Sequence, residues 1–429
     1  MRLNSSILAW IRTELDQANA PFVYSTFPCM ASVDILSIAA NANITPSIYF
    51  SKPNQTEEYV SFGAWRLLTN SDLKKMLQKI DFPIRYFGIN AFATNTNLPK
   101  EYWVMPIMWL EKTSHGTQIH VLLDLESNSK EDAFKQLDAV NSAINFKSNL
   151  STNQTYQTKT HSPTQDGWLE IVNKAQDQMT RHQIEKVVLA RQTTFKFINQ
   201  VNPFLLLKNV QKKDNGVYNF CIKSAAEHSF IGGTPERLFE INSNIISSDA
   251  IAGTLFKPEG ANVSHLKHQL LTSQKNIGEH QYVVDFIDQK LKGLCTSVIV
   301  DENRSLIELK YLLHLMMHFQ GHLSPGNDWL TAIQALHPTP AVGGVPAEDA
   351  LRFIKENEPF DRGWYAGPMG TITKDEAHIV VAIRSGSVIG DKVILSAGAG
   401  IVSDSDPMAE WDELNAKISL FTSIFSETQ

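Results

Sequence analysis

The chain has 429 residues, 43% of them hydrophobic, which is enough for one large core or two medium ones. A formal net charge of −7, without basic stretches that interleave with aromatic residues, argues against nucleic-acid binding. The sequence has no apolar run that approaches a membrane span or a signal peptide, and three widely separated cysteines suit a reducing compartment. We therefore expect a cytoplasmic enzyme-sized protein without nucleic-acid or membrane partners.

The first third of the chain mixes helical and strand periodicities. Helices are predicted over 8–15 and 130–145, and strands over 59–63, 102–110 and 118–125. The stretch 147–166 is polar and nearly free of aliphatic residues, which predicts an exposed loop or linker. It is the best candidate for a boundary between two parts of the chain.

The remainder carries longer patterns. Helices are predicted over 168–185, 204–212, 265–291, 328–336 and 346–357, and strands over 186–197, 218–224, 230–233, 377–385 and 392–397. The last two strands would form a hairpin around Gly390 and Asp391. Because strands and helices follow no regular βαβ order, the pattern favours an α+β fold with mostly antiparallel sheets.

Two ionisable residues could move protons. Lys186 lies on an apolar face of a predicted strand, where loss of water lowers the pKa of a lysine and allows it to act as a general base. A lysine at a strand end whose ammonium reaches the solvent is the simpler interpretation. Glu236 follows the tight turn Gly232–Pro235, which would hold its carboxyl in one direction as a proton donor. The alternative is a surface ion pair with Arg237.

A strand at Val393–Leu395 leads into Gly398 and Gly400. Because glycine tolerates positive φ, we expect a sharp turn there with exposed backbone amides. Arg384, on the neighbouring predicted strand, could hold a carboxylate beside that turn in a bidentate fork. A structural salt bridge of Arg384 is equally compatible with the pattern.

Three glutamates lie on predicted helices. Glu279 borders an apolar stripe, where a carboxylate needs a partner or a metal unless it only complements the helix dipole. Glu410 and Glu413 lie one turn apart on a helix that Asp406 would cap. Helical periodicity does not select which of these two carboxylates would bind a ligand.

The histidines give a weaker signal. His314, His318 and His322 recur at four-residue spacing, which suggests zinc, but apolar residues fill the gaps on all sides. A buried strand is the better interpretation of that segment. His337 lies in a proline-rich loop and would be either a hydrogen-bond donor in an active site or a staple of the loop.

Seven motifs resemble those of the chorismate-utilising enzymes, and they occur in that family's order. They are Lys186–Arg191 (KVVLAR), Gly233–Phe239 (GTPERLF), Ala250–Thr254 (AIAGT), Glu279–Asp285 (EHQYVVD), Leu336–Ala341 (LHPTPA), Trp364–Gly367 (WYAG) and Ala397–Val402 (AGAGIV) with Ser405–Pro407 and Glu410–Trp411.

The resemblance implies a fold of two orthogonally packed antiparallel β-sheets with helices on the outside. Residues 165–429 would form the chorismate-binding catalytic region, and residues 1–150 would complete the same interlocked unit. The resemblance further implies a Mg²⁺ ion held by Glu279 and Glu413, and Mg²⁺ prefers such oxygen ligands. The substrate-binding positions that it implies are Thr254, His337, Tyr365, Arg384, Gly398 and Gly400.

The family divides by its nucleophile. Members that add ammonia have glutamine at the position of Lys186, and the aminodeoxychorismate branch has lysine at the position of Ala252. The resemblance therefore implies the water-adding branch, the isochorismate synthases, without a glutaminase subunit. Lys186 would deprotonate the water that attacks C2 of chorismate, and Glu236 would protonate the departing C4 hydroxyl.

Other members stay open as alternatives. The Gly-Thr-Pro-Glu-Arg and Trp-Tyr-Ala-Gly motifs are similar to those of the menaquinone-pathway type. Salicylate synthases, which go on to eliminate pyruvate, share nearly the same residues, and siderophore-pathway isochorismate synthases are a further alternative. A non-catalytic chorismate-binding relative is disfavoured, because Lys186, Glu236, Glu279 and Glu413 are all present.

Overall fold

The structure is a computed structural model, and it describes residues 3–29, 33–93, 98–144, 154–258 and 260–427. These ranges contain eleven α-helices and 21 strands. The helices are α1 (Ser5–Gln17), α2 (Ile35–Asn41), α3 (Asn70–Lys79), α4 (Lys130–Ala143), α5 (Gln165–Thr180), α6 (Pro203–Lys213), α7 (Val263–Thr272), α8 (Gln274–Leu294), α9 (Trp329–Leu336), α10 (Ala347–Asn357) and α11 (Pro407–Thr422).

The strands follow the same chain order. They are β1 (Phe22–Cys29), β2 (Ser47–Ser51), β3 (Glu58–Leu68), β4 (Tyr86–Asn90), β5 (Glu101–Thr113), β6 (Gly116–Asp124), β7 (Thr155–Ser162), β8 (Lys186–Phe197), β9 (Tyr218–Ala225), β10 (His228–Thr234), β11 (Arg237–Asn242), β12 (Ile245–Phe256), β13 (Cys295–Val300), β14 (Ser305–Glu308), β15 (Leu312–Leu323), β16 (Gly344–Val345), β17 (Pro368–Ile372), β18 (Glu376–Val381), β19 (Ser385–Ile389), β20 (Lys392–Ile401) and β21 (Ser426–Glu427).

The predicted α+β class with antiparallel sheets is confirmed. One run of strands passes in the order β7, β8, β20, β19, β10, β9, β2, β3, and a second in the order β4, β17, β18, β11, β12, β15. Strand β5 joins them, because it pairs with β3 along one edge and with β4 and then β6 along the other. The two layers are therefore continuous through β5.

Strands from both ends of the chain alternate within these runs. Strand β2 pairs with β9, and β4 pairs with β17, so residues before 150 and after 165 share backbone hydrogen bonds. The core also draws on both regions, and the tryptophans 103, 109, 168 and 364 are all at most 1% exposed. Within the described part of the chain, no helix is long and apolar enough to cross a membrane.

The loop predicted over 147–166 is wrong in its described portion. Residues 155–162 form strand β7, which pairs with β8, and α5 begins at Gln165. Most of its side chains are partly or fully exposed. An edge strand that buries so little has no apolar alternation to reveal it. Residues 147–153 of the predicted loop lie outside the described residues.

The C-terminal strands also differ from expectation in two places. The predicted hairpin around Gly390 and Asp391 is confirmed, with β19 paired to β20. However, the strand predicted over 377–385 ends at Val381, and Arg384 lies in the link before β19 with a φ of 47°. The sharp turn expected at Gly398 and Gly400 is wrong, because β20 continues through both to Ile401.

Candidate active site

The cleft lies where two short links pass between the two runs of strands. The link from β10 to β11 carries Glu236, and the link from β18 to β19 carries Arg384. Strand β20 contributes Gly398 and Gly400, and strand β12 contributes Thr254. Chain crossings between the layers therefore place side chains from distant motifs around one space.

Lys186 is the first residue of β8, where it pairs with Val345, and it is fully buried. Its Nζ lies 3.1 Å from Oε1 of Glu279. No well-aligned hydrogen bond reaches this Nζ from the described residues. The interpretation of Lys186 as a solvent-seeking lysine is therefore wrong. A buried nitrogen with unused hydrogen-bonding capacity is costly unless a ligand or water completes it.

Glu236 is held by its own backbone. Its amide donates to Oγ1 of Thr234 (3.1 Å), and its carbonyl accepts from the amide of Val381 (3.0 Å). The side chain lines the cleft, and the residue is 6% exposed. Burial raises the pKa of Glu236 from 4.5 to about 7, against the positive charges of Lys186, Lys417 and Arg384. A large fraction of this carboxyl therefore holds a proton at neutral pH, as a general acid requires.

A hydrogen-bonded chain connects three residues of the cleft. Nη2 of Arg384 donates to Nε2 of His314, and Nδ1–H of His314 faces Oγ1 of Thr254 at 3.2 Å. Burial, together with the charge of Arg384, lowers the pKa of His314 well below its usual value. The neutral ring can then accept from the guanidinium, so His314 orients Arg384.

The bulge in β12 explains how Thr254 reaches this chain. The register of β12 against β15 shifts between Ala252 and Thr254, and Gly253 has a φ of 68°. A Cβ on Gly253 would lie 3.0 Å from the carbonyl oxygen of Asn276. The extra residue turns the side chain that follows it, as β-bulges near functional sites commonly do.

The histidine repeat does not form a zinc site. His314 and His318 lie on one strand, β15, and four residues along a strand span about 13 Å. His318 instead contacts Asp249 through Nδ1 at 2.7 Å. Among the described residues there is no group of three or more histidine, cysteine or acidic side chains arranged to hold a metal.

The two glycines of β20 provide space rather than a turn. A Cβ on Gly400 would lie 2.6 Å from Oε1 of Glu279 and 3.1 Å from Cε of Lys186. A Cβ on Gly398 would lie 3.0 Å from the hydroxyl of Tyr365. Both positions lack a side chain because the groups that line the cleft occupy that volume.

Three glutamates of the site are each paired with a lysine. The pairs are Lys186–Glu279 at 3.1 Å, Lys275–Glu410 at 3.2 Å and Lys417–Glu413 at 2.6 Å. Lys417 lines the cleft and also donates to the carbonyl of Gly398 at 2.8 Å. Glu413 is thus connected to the cleft by its ion pair with Lys417. The sequence analysis did not identify Lys417 as a site residue.

The carboxylates around Lys275 have the chemistry that Mg²⁺ prefers. Burial acts to lower the pKa of Lys275, but the charges of Glu410, Glu279 and Glu413 outweigh it and raise the pKa. Glu410 is 4% exposed and accepts from Oγ of Ser405 at 2.9 Å. Mg²⁺ needs few protein ligands because it keeps several waters, so a pair of carboxylates is enough for the ion.

His337 lies outside the cleft lining. Its Nε2–H donates to the carbonyl of Ala366 at 2.8 Å, and its ring packs edge-on against Phe92. Burial lowers the pKa of His337 to about 4. Of the two roles predicted for His337, this geometry matches the one that fixes the loop. Its hydrogen bond to Ala366 holds the backbone next to Tyr365, and Tyr365 does line the cleft.

A buried ion pair fixes strand β8 just beyond Lys186. Arg362 and Glu358 have side chains only 3% exposed and lie 2.6 Å apart. Nη2 of Arg362 donates to the carbonyl of Val188 (2.7 Å), and Glu358 accepts from the amide of Ala190 (2.7 Å). Arg362 also lines the cleft, so the sequence analysis missed a supporting group.

The fold and the site define an enzyme with a cleft that contains a buried acid and cationic side chains, next to a buried lysine. The chain belongs to the chorismate binding enzymes, whose family model matches residues 10–426. It is similar to isochorismate synthase MenF of Escherichia coli (strain K12), with 29% identity over 400 residues that cover 91% of this chain and 90% of that protein. MenF of Bacillus subtilis (strain 168) is 35% identical over 257 residues, which cover 59% of this chain and 54% of that protein.

Solved structures agree with this assignment. The structure of MenF, the menaquinone-specific isochorismate synthase from Escherichia coli, matches with a TM-score of 0.89 and 27% identity, covering 98% of this chain and 99% of that one. Anthranilate synthase component I from Streptococcus pneumoniae matches with a TM-score of 0.69 and 21% identity over 95% and 93% of the two chains. The second likeness shows the fold alone.

Proposed function

We propose that this protein is an isochorismate synthase that converts chorismate to isochorismate in a Mg²⁺-dependent reaction. The observation that carries the proposal is a fully buried Lys186 next to the cleft that holds Glu236, whose burial raises its pKa to about 7. An isomerisation that adds water and releases a hydroxyl needs one base and one acid. Each such group typically contributes about 10²–10⁴-fold in rate.

The proton balance of the reaction closes with these two residues. Lys186 accepts a proton from water while the water oxygen bonds to C2. The two ring double bonds shift, and the C4–oxygen bond breaks as Glu236 donates its proton to the leaving hydroxyl. One water is consumed and one is released, so the product is an isomer of the substrate. The proton gained by Lys186 returns to Glu236 through solvent water before the next turnover.

Cationic groups would hold the substrate's carboxylates. Arg384 has five N–H donors in a planar fork, of which one is engaged by His314. The hydroxyl of Tyr365 and the ammonium of Lys417 line the same cleft. We assign the enolpyruvyl carboxylate to Arg384 and Tyr365, with Gly398 and Gly400 leaving room for it.

Glu279 and Glu413 would hold Mg²⁺, which would neutralise and orient the ring carboxylate of chorismate. Burial acts to raise the pKa of Glu279, but the charges of Lys186 and Lys417 outweigh it and lower the pKa. An ionised Glu279 is the form that a metal requires. Glu410, which the hydroxyl of Ser405 holds in place through a hydrogen bond, would support these two ligands.

The pathway assignment rests on relatives. Proteins named MenF cover most of this chain at 29% identity, which supports a role in menaquinone biosynthesis. A relative from Pseudomonas aeruginosa, named salicylate biosynthesis isochorismate synthase, is 32% identical over 254 residues. We further propose a cytoplasmic location, because an odd number of cysteines suits a reducing compartment. We also propose that the protein needs no glutaminase subunit, because its nucleophile is water and not ammonia.

Product analysis tests the proposal. Purified protein is incubated with chorismate, with and without Mg²⁺, and the products are separated by chromatography. Isochorismate that forms only with Mg²⁺ supports the proposal. Pyruvate in equal amount to the product would instead identify a salicylate synthase, and absence of turnover with retained chorismate binding would identify a binding protein.

A further inference from the structure

Both proposed Mg²⁺ ligands, Glu279 and Glu413, and the neighbouring Glu410 already have a positive charge beside them. Glu279, Glu410 and Glu413 each lie within 3.2 Å of a lysine nitrogen. A divalent cation that approaches these carboxylates meets charge that the chain itself supplies. At least one lysine ammonium must therefore move away from its carboxylate when Mg²⁺ binds.

The three lysines differ in their freedom to leave. The side chain of Lys186 is completely buried, and that of Lys417 is 19% exposed and also bonded to the carbonyl of Gly398. Lys275 has a side chain that is 48% exposed, and it is the second residue of α8. Its flexible stem can turn to the solvent by rotation about side-chain bonds, without movement of the helix.

Lys275 also interacts electrostatically with all three carboxylates. Its ammonium lies 3.2 Å from Oε1 of Glu410, and the charges of Glu279 and Glu413 act on it as well. Burial raises the pKa of Glu410, and the nearby charge of Glu413 raises it further. The ammonium of Lys275, 3.2 Å from Glu410, therefore offsets this repulsion when no metal is present.

We infer that Lys275 is an exchangeable counter-ion of the metal site, which pairs with Glu410 in the metal-free protein and turns to the solvent when Mg²⁺ binds. The inference rests on the proposed Mg²⁺ site. It makes Lys275 a determinant of metal affinity that contributes no metal ligand. Its charge opposes the entry of a cation, so its removal strengthens metal binding.

Calorimetric titration with Mg²⁺, without substrate, measures this effect. Lys275→Met should bind Mg²⁺ about fivefold more tightly than the wild type, because a partly exposed ion pair is worth at most about a few-fold to tenfold in an equilibrium constant. Lys275→Arg keeps the charge and should bind as the wild type does. Lys292→Met is the matched control for net charge, since Lys292 lies about 25 Å further along the same helix and pairs with Asp288.

A second measurement follows Lys275 directly. Acetylation of lysines, read by mass spectrometry, should become faster at Lys275 when Mg²⁺ is added and should stay unchanged at Lys292. The inference is overturned if Lys275→Met binds Mg²⁺ equally or more weakly, if neither protein binds it, or if Mg²⁺ slows acetylation of Lys275. Tighter Mg²⁺ binding by the variant, with no isochorismate formed by the wild type, would overturn only the proposed function.

Discussion

Nζ of Lys186 and Oε1 of Glu279 lie 3.1 Å apart, so the proposed base and a proposed metal ligand form one ion pair. The two residues come from β8 and α8, which are far apart in sequence. Any event that draws Glu279 toward a cation weakens its hold on Lys186. Metal binding and the availability of the base are therefore linked through a single contact.

Replacement of Lys186 should abolish turnover. We expect Lys186→Ala to lower kcat by about 10²–10⁴-fold, because the attacking water then loses its proposed base. The fold should persist, since α8 and β8 are held by many other contacts, and thermal unfolding checks this. Lys196→Ala, on the same strand at an exposed position, is the control and should retain activity. Near-normal turnover in Lys186→Ala would remove Lys186 as the base.

The acid role of Glu236 predicts a pH dependence. Because burial raises its pKa to about 7, kcat should fall as the pH rises above that value and the protonated form is lost. Glu236→Gln, which cannot donate the proton, should lose most activity at every pH. A wild-type rate that stays constant from pH 6 to pH 9 would contradict this assignment.

The raised pKa of Glu236 also predicts how the free energy of unfolding depends on pH, with a sign opposite to that of a carboxylate whose pKa is lowered by folding. A pKa raised above the unfolded value of 4.5 means that folding favours the protonated form, so stability is highest at low pH and declines between about pH 4.5 and pH 7. Relative to Glu236→Gln, the wild type should lose at most about 3 kcal/mol across this window. Denaturant unfolding at pH 4.5 and pH 8 measures it, and an equal difference at both values would be evidence against the shift.

Gly400 should not tolerate a side chain. The Cβ of Gly400→Ala would lie 2.6 Å from Oε1 of Glu279, so the carboxylate must move and Lys186 with it. We expect turnover to fall about a hundredfold, the typical cost of a small misplacement of reacting groups. Gly293→Ala on α8 has open space at its Cβ and should keep full activity with a slightly more stable helix. Equal activity of the two variants would show that Gly400 provides no needed room.

Arg384 should not be replaceable by lysine. A lysine keeps the charge but cannot form the fork that reaches both His314 and a carboxylate. We expect kcat/KM for chorismate to fall about 10–100-fold in Arg384→Lys, mainly through KM, measured by steady-state kinetics. Arg352→Lys, at a side chain that is 63% exposed, is the control. An unchanged KM in Arg384→Lys would mean that the guanidinium does not bind the substrate.

The sequence predicts those features that depend on local pattern. The helix that carries Glu410 and Glu413 follows from its capping residues, and the structure has it. The tight turn predicted over Gly232–Pro235 is wrong, because β10 continues to Thr234 and only Pro235 and Glu236 link it to β11. Lys186 could be placed on an apolar strand face, but its full burial depends on α8, which is distant in sequence. The strand β7 went unrecognised because a solvated edge strand has no apolar alternation.

The groups that were missed act through long-range contacts. His314 became significant only when β15 and the link before β19 brought it to Arg384, 70 residues away. Lys417 had a local signal that could have identified it, since it follows Glu413 by four residues on one helix. A turn was predicted at the glycines of β20 because glycine is common both in turns and where groups pack closely. Only the side chains that lie next to these glycines in the fold distinguish the two cases.

The most direct test of water addition at C2 is the origin of the new hydroxyl. Chorismate is converted in ¹⁸O-labelled water, and isochorismate is isolated and its mass and fragments are recorded. We predict one ¹⁸O atom per isochorismate, located at C2, with no label elsewhere and no release of pyruvate. Isochorismate without ¹⁸O would mean that the C4 hydroxyl migrates within the molecule, and it would contradict the roles given to Lys186 and Glu236.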